Sequence, residues 1–190
     1  KNQVIFDICR VFNIFEINDN FSIISKLIDL KKSNKKIAIN NNGESIRDFI
    51  HVDDVVSIYK RLLNKKGSNL YDVGTGYGIK IKDIIRKLNL PSKNILFEKK
   101  RNYEIDNSIA NNHELIKKSG FKKFKKLENY LKINKLPHQT KKLSSNYLEN
   151  TLIGSIIYGA GYSGKELYKQ ICKYDKNIVS YFVDDDQQKQ

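Results

Sequence analysis

The feature that most constrains this chain is a regular change of hydrophobic period. Short runs rich in Val, Ile, Phe and Tyr alternate with stretches whose apolar residues recur three and four positions apart. The first pattern suits buried parallel strands and the second amphipathic helices, so their alternation predicts an α/β fold. Residues 4–15 place a strand near 8–11 with a loop behind it. Residues 21–32 carry Ile23, Ile24, Leu27, Ile28 and Leu30 on one helical face. A strand at 36–39 leads into a turn-rich hairpin over 40–44 that contains Gly43. A helix starts near Asp53, whose carboxylate can cap it, and presents Val55, Val56, Ile58, Tyr59, Leu62 and Leu63. Strand 70–73 passes through Gly74, Gly76 and Gly78 into a helix over 79–88. A strand at 95–98, a helix capped by Asn111 or Asn112 and closed by Gly120, and an amphipathic stretch over 127–133 complete the first region.

Between 135 and 152 the periodicity dissolves into Pro137, His138, Gln139 and a run of Lys, Ser and Asn, the composition of a linker. It then returns as a strand at 155–158, a glycine-rich turn, a helix at 163–174 and a strand at 178–183. The expected division is therefore 1–134, a linker at 135–152, and a second unit at 153–190. One βαβ unit cannot bury both faces of its sheet, so the second domain is expected to be truncated. Its turn reads Gly159-Ala160-Gly161-Tyr162-Ser163-Gly164, a full G-x-G-x-x-G between strand and helix. Gly159 permits the tight turn, Gly161 lets a pyrophosphate approach the backbone, and Gly164 lets helix pack on strand. Asp184, Asp185 and Asp186 follow the second strand about twenty residues beyond Gly164, and one of them, Asp184 by preference, can accept from a ribose 2′-hydroxyl. Gly159, Gly161, Gly164 and Asp184 are candidates for binding NAD; the alternative is a Rossmann-like regulatory unit that binds another nucleotide or none.

The first region holds a different set: Arg10-Val11-Phe12-Asn13, then Arg47-Asp48-Phe49-Ile50-His51-Val52-Asp53-Asp54, then Tyr71-Asp72-Val73-Gly74-Thr75-Gly76, then Arg101 with Ser108 and Ala110. Their order and spacing resemble the C-terminal half of NAD-dependent nucleotide-sugar epimerases and dehydratases, the extended short-chain dehydrogenase/reductase family. The resemblance covers roughly residues 4–133, and the RDFIHVDD stretch is its most specific part. It implies the substrate-binding part of an extended Rossmann-type epimerase, with NAD as cofactor and a nucleotide-diphosphate sugar, a UDP-sugar by preference, as ligand. Phe12 then matches the residue lying against the nicotinamide half of NAD, and Asn13 the one that hydrogen-bonds the sugar-nucleotide diphosphate. Asn20 and Phe21 fall where the substrate helix begins, and Ala38 and Ile39 on the strand that edges the nucleobase. Arg47 and Arg101 match two arginines that hold the diphosphate. That role has independent physical sense, because guanidinium forks bind phosphate oxygens bidentately and the chain has only five Arg.

Plainer roles compete for the same residues. Arg47 could pair with Asp48 or Asp53, Asn13 could satisfy loop backbone, and His51 between Ile50 and Val52 reads as a structural histidine. The Gly74-Thr75-Gly76 loop has the look of a phosphate cradle but is a structural turn in the resembling family. The chain also departs from the family's pattern: Ile14-Phe15-Glu16 stands where a Tyr-Gly-Pro-like turn is usual, and Asn102-Tyr103-Glu104 follows Arg101 in place of Pro-Gly-Asp. The family's catalytic pair is Tyr-x-x-x-Lys, and none of the eleven Tyr has Lys four positions later. Together with the lack of Met and an opening Lys1, this reads as a fragment whose catalytic pair and first cofactor loop lie upstream. The second unit resembles, over about residues 154–186, the nucleotide-binding domain of polysaccharide-biosynthesis nucleotide-sugar dehydratases. Surface-polysaccharide or lipopolysaccharide sugar biosynthesis is the process the two resemblances imply.

Charge offers a competing reading. The formal net charge is +14, and the ten Lys of residues 117–142 face a single acid, Glu128, with Phe121, Phe124 and Tyr130 among them. Interleaved cations and aromatics can bind nucleic acid. Thirty of the 35 basic residues are Lys, however, and Lys, Ile and Asn together fill 77 of the 190 positions, which is a chain-wide compositional drift. At helical spacing the aromatics are better used as core, so no nucleic-acid partner is expected. Cys9 and Cys172 stand apart without metal or redox spacing, and no metal is assigned. No apolar run approaches the ~20 residues of a membrane span. A cytoplasmic location and a homodimer are the remaining expectations.

Overall fold

The computed structural model describes residues 7–16, 19, 21–31, 33, 35–63 and 69–132, together with strands at 155–158 and 179–183. The chain enters on β1 (Asp7–Val11) and, after Phe12, continues as β2 (Asn13–Phe15). These are one extended run serving two sheets. β1 pairs in parallel with β5 (Asn69–Val73), whereas β2 pairs in parallel with β4 (Ile46–His51). The break falls at Phe12, whose N–H still reaches Val73 O at 3.0 Å. The loop expected after residue 11 is thus a second strand.

Helix α1 (Ile23–Leu30) begins at Ser22, whose hydroxyl accepts from Ser25 N at 3.1 Å, and buries Ile24, Leu27 and Leu30. β3 (Ile37–Ile39) follows, but no hairpin does. Residues Asn40–Gly43 form a 3-10 turn in which Asn41, Asn42 and Gly43 all take positive φ. Asn tolerates this left-handed region better than other side-chain-bearing residues. The turn separates two strands that do not pair with each other: β3 runs beside β7 (Ile95–Phe97), and β4 beside β2.

Helix α2 (Val52–Leu63) starts directly from β4, with Asp53 and Asp54 in its first turn and Lys60 and Arg61 in its last, each sign complementing the helix dipole. The stretch expected as one helix over 79–88 divides into β6 (Gly78–Lys80) and α3 (Ile81–Lys87). β6 pairs antiparallel with Ile46–Asp48 of β4, and the two-residue β8 (Asn107–Ser108) lies parallel to Ile46–Arg47 on the opposite edge. β4 therefore exchanges neighbours halfway, with β8 beside its first half and β2 beside its second. α4 (His113–Ser119) ends at Gly120 in the left-handed conformation, φ 67°, as a C-terminal glycine does. α5 (Leu127–Leu131) closes the region.

Two cores result. One joins α1, α3 and α5 around Phe15, Leu27, Phe49, Ile84 and Leu131; the other joins α2, β5 and α4 around Ile50, Ile58, Val73 and Leu115. β4 supplies residues to both. In the second unit, β9 (Ser155–Tyr158) and β10 (Val179–Val183) are parallel neighbours, the pairing a βαβ crossover requires. The region observed is a mixed α/β fold with parallel strands, as the period change indicates.

Candidate functional site

Ligands of parallel α/β sheets gather at the carboxyl ends of the strands. Here β1 ends at Val11, just before Phe12, and β5 at the Gly74-Thr75-Gly76 loop, which Asp48 of β4 meets. Asp48 is completely buried. Its Oδ1 accepts from Thr75 N at 3.0 Å and from Thr75 Oγ1 at 2.6 Å, and its Oδ2 from Gly76 N at 2.9 Å and Ala110 N at 3.2 Å. The glycine loop thus presents its donors to the protein's own carboxylate. Gly74 is required by the same contact, because a Cβ there would lie 2.7 Å from Asp48 Oδ2 and 2.5 Å from Ala110 Cβ. Sequence reasoning treated Asp48 only as a partner for Arg47 and so missed its role; an Asp followed by a Gly-Thr-Gly turn is the signal it left.

Arg47, the residue before it, is half-buried and held by main-chain oxygens. Its Nη1 donates to Ile46 O at 2.9 Å and Asp106 O at 3.2 Å, and its Nη2 lies 3.9 Å from Glu104 Oε1. Neither Asp48 nor Asp53 is its partner. Ser45 donates to the same Glu104 oxygen at 3.0 Å, while Glu104 Oε2 is buried and has no hydrogen-bond partner among the described residues. The Asp106 carboxyl is held below the usual carboxylate range chiefly by Lys100, 2.5 Å away, helped by Asn41 at 3.1 Å. Arg101 opens the same segment; it is exposed, 3.8 Å from Glu98 and joined through its carbonyl to Glu104 N at 3.0 Å.

The other sequence-assigned residues differ in exposure and in partners, and of them Asn13 is the one bonded to this centre. Asn13 donates Nδ2 to Asp48 O at 2.9 Å, so its amide nitrogen ties β2 to β4. Phe21 is half-buried, and its N–H donates to Asp19 Oδ1 at 3.0 Å. Ala38 is exposed on β3, whereas Ile39 is buried in the first core, leaving Ala38 as the residue of that pair with a side chain at the surface. Asn20, Gly159, Gly161, Gly164 and Asp184 lie outside the described residues.

At the far end of β4, His51 is 4% exposed, accepts from Asp53 N at 3.1 Å, and stacks on Tyr130 with ring centroids 4.8 Å apart. Burial, reinforced by nearby Lys125, holds its pKa down to about 4. A neutral imidazole packed among rings is a structural histidine. In the Lys-rich stretch Phe121 is buried, Phe124 meets it edge-on at 5.1 Å, and Tyr130 packs on His51 and Phe15. Those rings face the core. The Cys9 thiol is pushed up to about 12 by burial and by Asp7, opposite to the lowered pKa that marks reactive cysteines. Among the described residues no group of three or more His, Cys, Asp or Glu could hold a metal, and no helix is long and apolar enough to cross a membrane.

Comparison with known proteins agrees with the resemblance read from the motifs. Residues 3–74 match the NAD dependent epimerase/dehydratase family. A CDP-abequose synthase of Salmonella typhimurium is 36% identical over 103 residues, 48% of this chain and 34% of that protein. A dTDP-D-glucose 4,6-dehydratase of Dictyostelium discoideum is 36% identical over 67 residues, 35% of this chain and 15% of that protein. The chain therefore spans about a third or less of the curated relatives it matches. Among solved structures, MoeE5 in complex with UDP-glucuronic acid and NAD superposes with a TM-score of 0.59 at 22% identity, over 66% of this chain and 44% of that one. The UDP-glucose 4-epimerase of Thermotoga maritima, with UDP-glucose, gives 0.58 at 19% identity, over 68% and 44%. At such identities the likeness establishes the fold alone.

Proposed function

We propose that this chain, which carries a segment of the NAD dependent epimerase/dehydratase family at residues 3–74, supplies the sugar-nucleotide half of an NAD-dependent nucleotide-sugar epimerase or dehydratase. Residues 1–134 bind the diphosphate of the nucleotide sugar, and residues 153–190 begin a second nucleotide-binding unit after the linker at 135–152. Surface-polysaccharide or lipopolysaccharide sugar biosynthesis is the setting, and a similarity to CDP-abequose synthase and dTDP-glucose dehydratases supports it.

The observation that carries the reading is the state of Arg47. Its guanidinium is pinned by two carbonyl oxygens, which neutralise none of its charge; of the acids around it, Glu104 stands at 3.9 Å, and the Asp106 carboxylate, which also feels its charge, is held by Lys100. A cation ordered in this way is prepared for an anionic ligand at little entropic cost. Arg101, exposed at the start of the segment that packs on β4, supplies a second fork for the same phosphates. Asn13, bonded to Asp48 O, and Phe21 are assigned to the sugar-nucleotide side, and exposed Ala38, with Ile39 behind it in the core, supplies the nucleobase edge.

Phe12 stands where the β1–β5 pair ends, which suits a residue lining the nicotinamide side. NAD, when bound, supplies the hydride acceptor. This chain's residues bind and orient the sugar nucleotide; a Tyr-x-x-x-Lys pair from a further segment supplies the proton transfer. The chain alone accordingly gives no NAD reduction with UDP-glucose, and measurable turnover would overturn this division of labour. Calorimetric titration with UDP-glucose tests the binding role: Arg47→Ala and Arg101→Ala each weaken affinity about tenfold or more, and unchanged affinity in both removes the diphosphate assignment.

A further inference from the structure

We infer that Asp48 is a positioning residue for the diphosphate site: its carboxylate fills the anion cradle of the 74–76 loop and thereby fixes Arg47 and the segment that carries Arg101. The inference rests on the diphosphate reading given above.

A glycine-bounded turn at the end of a parallel strand, with converging N–H groups and a threonine hydroxyl, is built to receive an anion. In this chain the anion is covalently part of the neighbouring strand. Two N–H groups and one hydroxyl of the loop close on Asp48, and a Cβ at Gly74 would already collide with its Oδ2. The loop therefore has no room for a phosphate of its own and acts as a receptor for β4.

The fourth donor explains why this matters for ligand binding. β8 is two residues long and, among the described residues, pairs with Ile46 and Arg47. Ala110 N reaches Asp48 Oδ2 at 3.2 Å, so the carboxylate continues the attachment where the strand pairing stops. That segment contains Asp106, whose carbonyl pins Arg47 and accepts from Ile46 N at 2.7 Å, and it begins at Arg101. On its other side Asp48 offers its carbonyl to Asn13. One residue thus joins Asn13, Arg47 and the Arg101 segment without touching the ligand itself. Without it Arg47 keeps its charge but loses its orientation, and ordering it then costs affinity.

The test uses the full 190-residue chain with UDP as the probe, at a temperature where circular dichroism shows each variant folded. Asp48→Asn keeps the side-chain shape but places an NH2 group against donors; Thr75→Val removes one donor and retains the loop. The expected result is UDP affinity lowered about tenfold by Asp48→Asn and about threefold by Thr75→Val. The side-chain Nε–Hε resonance of Arg47, one of only five arginines, shifts or broadens in both variants before ligand is added, a change that mere loss of stability does not produce. If Asp48→Asn does not fold, Thr75→Val decides alone. Folded variants with wild-type affinity and an unchanged Arg47 resonance overturn the positioning role, provided Arg47→Ala still loses UDP. A wild-type chain that binds no UDP overturns the diphosphate reading itself, and this inference with it.

Discussion

Asp48 and His51 stand three residues apart on β4, and both are almost wholly buried, at 0% and 4% exposure. Their surroundings are opposite. Asp48 has four donors, drawn from the 74–76 loop and from Ala110, and no aromatic neighbour is needed to fill its site. His51 has one backbone donor on Nδ1 and rings on two sides: Tyr130 stacked at 4.8 Å and Phe15 edge-on at 5.3 Å. A buried carboxylate is tolerated only when its hydrogen bonds are complete, so it becomes a junction for whichever segments supply them. A buried imidazole can instead shed its charge and pack as an aromatic. The Asp48 end of the strand therefore organises the candidate site, and the His51 end organises the core.

The sharpest way to break that contrast is Asp48→Ala. It leaves three backbone N–H groups and a hydroxyl without their acceptor, and a loss of about 4 kcal/mol is expected in urea unfolding. A loss below about 1 kcal/mol would show that water replaces the carboxylate freely and that the junction is weak.

His51 responds to pH instead. Its folded pKa of about 4 lies below its unfolded value near 6.5, so its contribution is complete above pH 6.5 and is lost as pH falls from 6.5 toward 4. The loss reaches roughly 3 kcal/mol. Glu16 and Asp54, both raised chiefly by burial, pull the opposite way at low pH. The difference between the wild type and His51→Phe isolates the histidine: the variant gives the flatter stability profile between pH 6.5 and 4. Parallel profiles would mean that the imidazole titrates normally.

Gly74→Ala tests the tightness of the Asp48 end. Its Cβ would come within 2.5 Å of Ala110 Cβ, and about 2 kcal/mol of destabilisation is expected in thermal unfolding. The smallest effect belongs to Lys125, whose Nζ pairs with Asp53 at the surface of the His51 end. Lys125→Ala should cost at most about 1 kcal/mol by the same measurement. A larger loss would give the His51 end an electrostatic junction of its own and erase the contrast.

Local pattern carried much of the fold into view. The apolar faces of α1 and α2, the strand at 70–73 and the left-handed stop at Gly120 are decided within a few residues, and each stands where periodicity puts it. Asn40–Gly43 reads as a hairpin turn because its composition permits one. The neighbours of β3 and β4 are chosen by β7 and β2, far away in sequence, and the turn becomes a crossover. Likewise Gly78–Lys80 is drawn out of the following helix by the free edge of β4. The motif RDFIHVDD pointed to Arg47, but Asp48 could not be understood from it, since its donors come from 27 and 62 positions downstream. Arg47's own partners, Asp106 O and Glu104, are equally distant and follow an arginine whose usual Pro-Gly-Asp is absent.

The central claim is that Arg47 and Arg101 hold a nucleotide diphosphate, and phosphorus-31 NMR of UDP in the presence of the chain tests it most directly. The account predicts that both phosphorus resonances shift or broaden with the wild-type chain, that UMP is affected far less, and that an Arg47→Ala, Arg101→Ala double variant leaves the UDP spectrum as it is in buffer. UDP resonances perturbed equally by the wild type and by the double variant would contradict it.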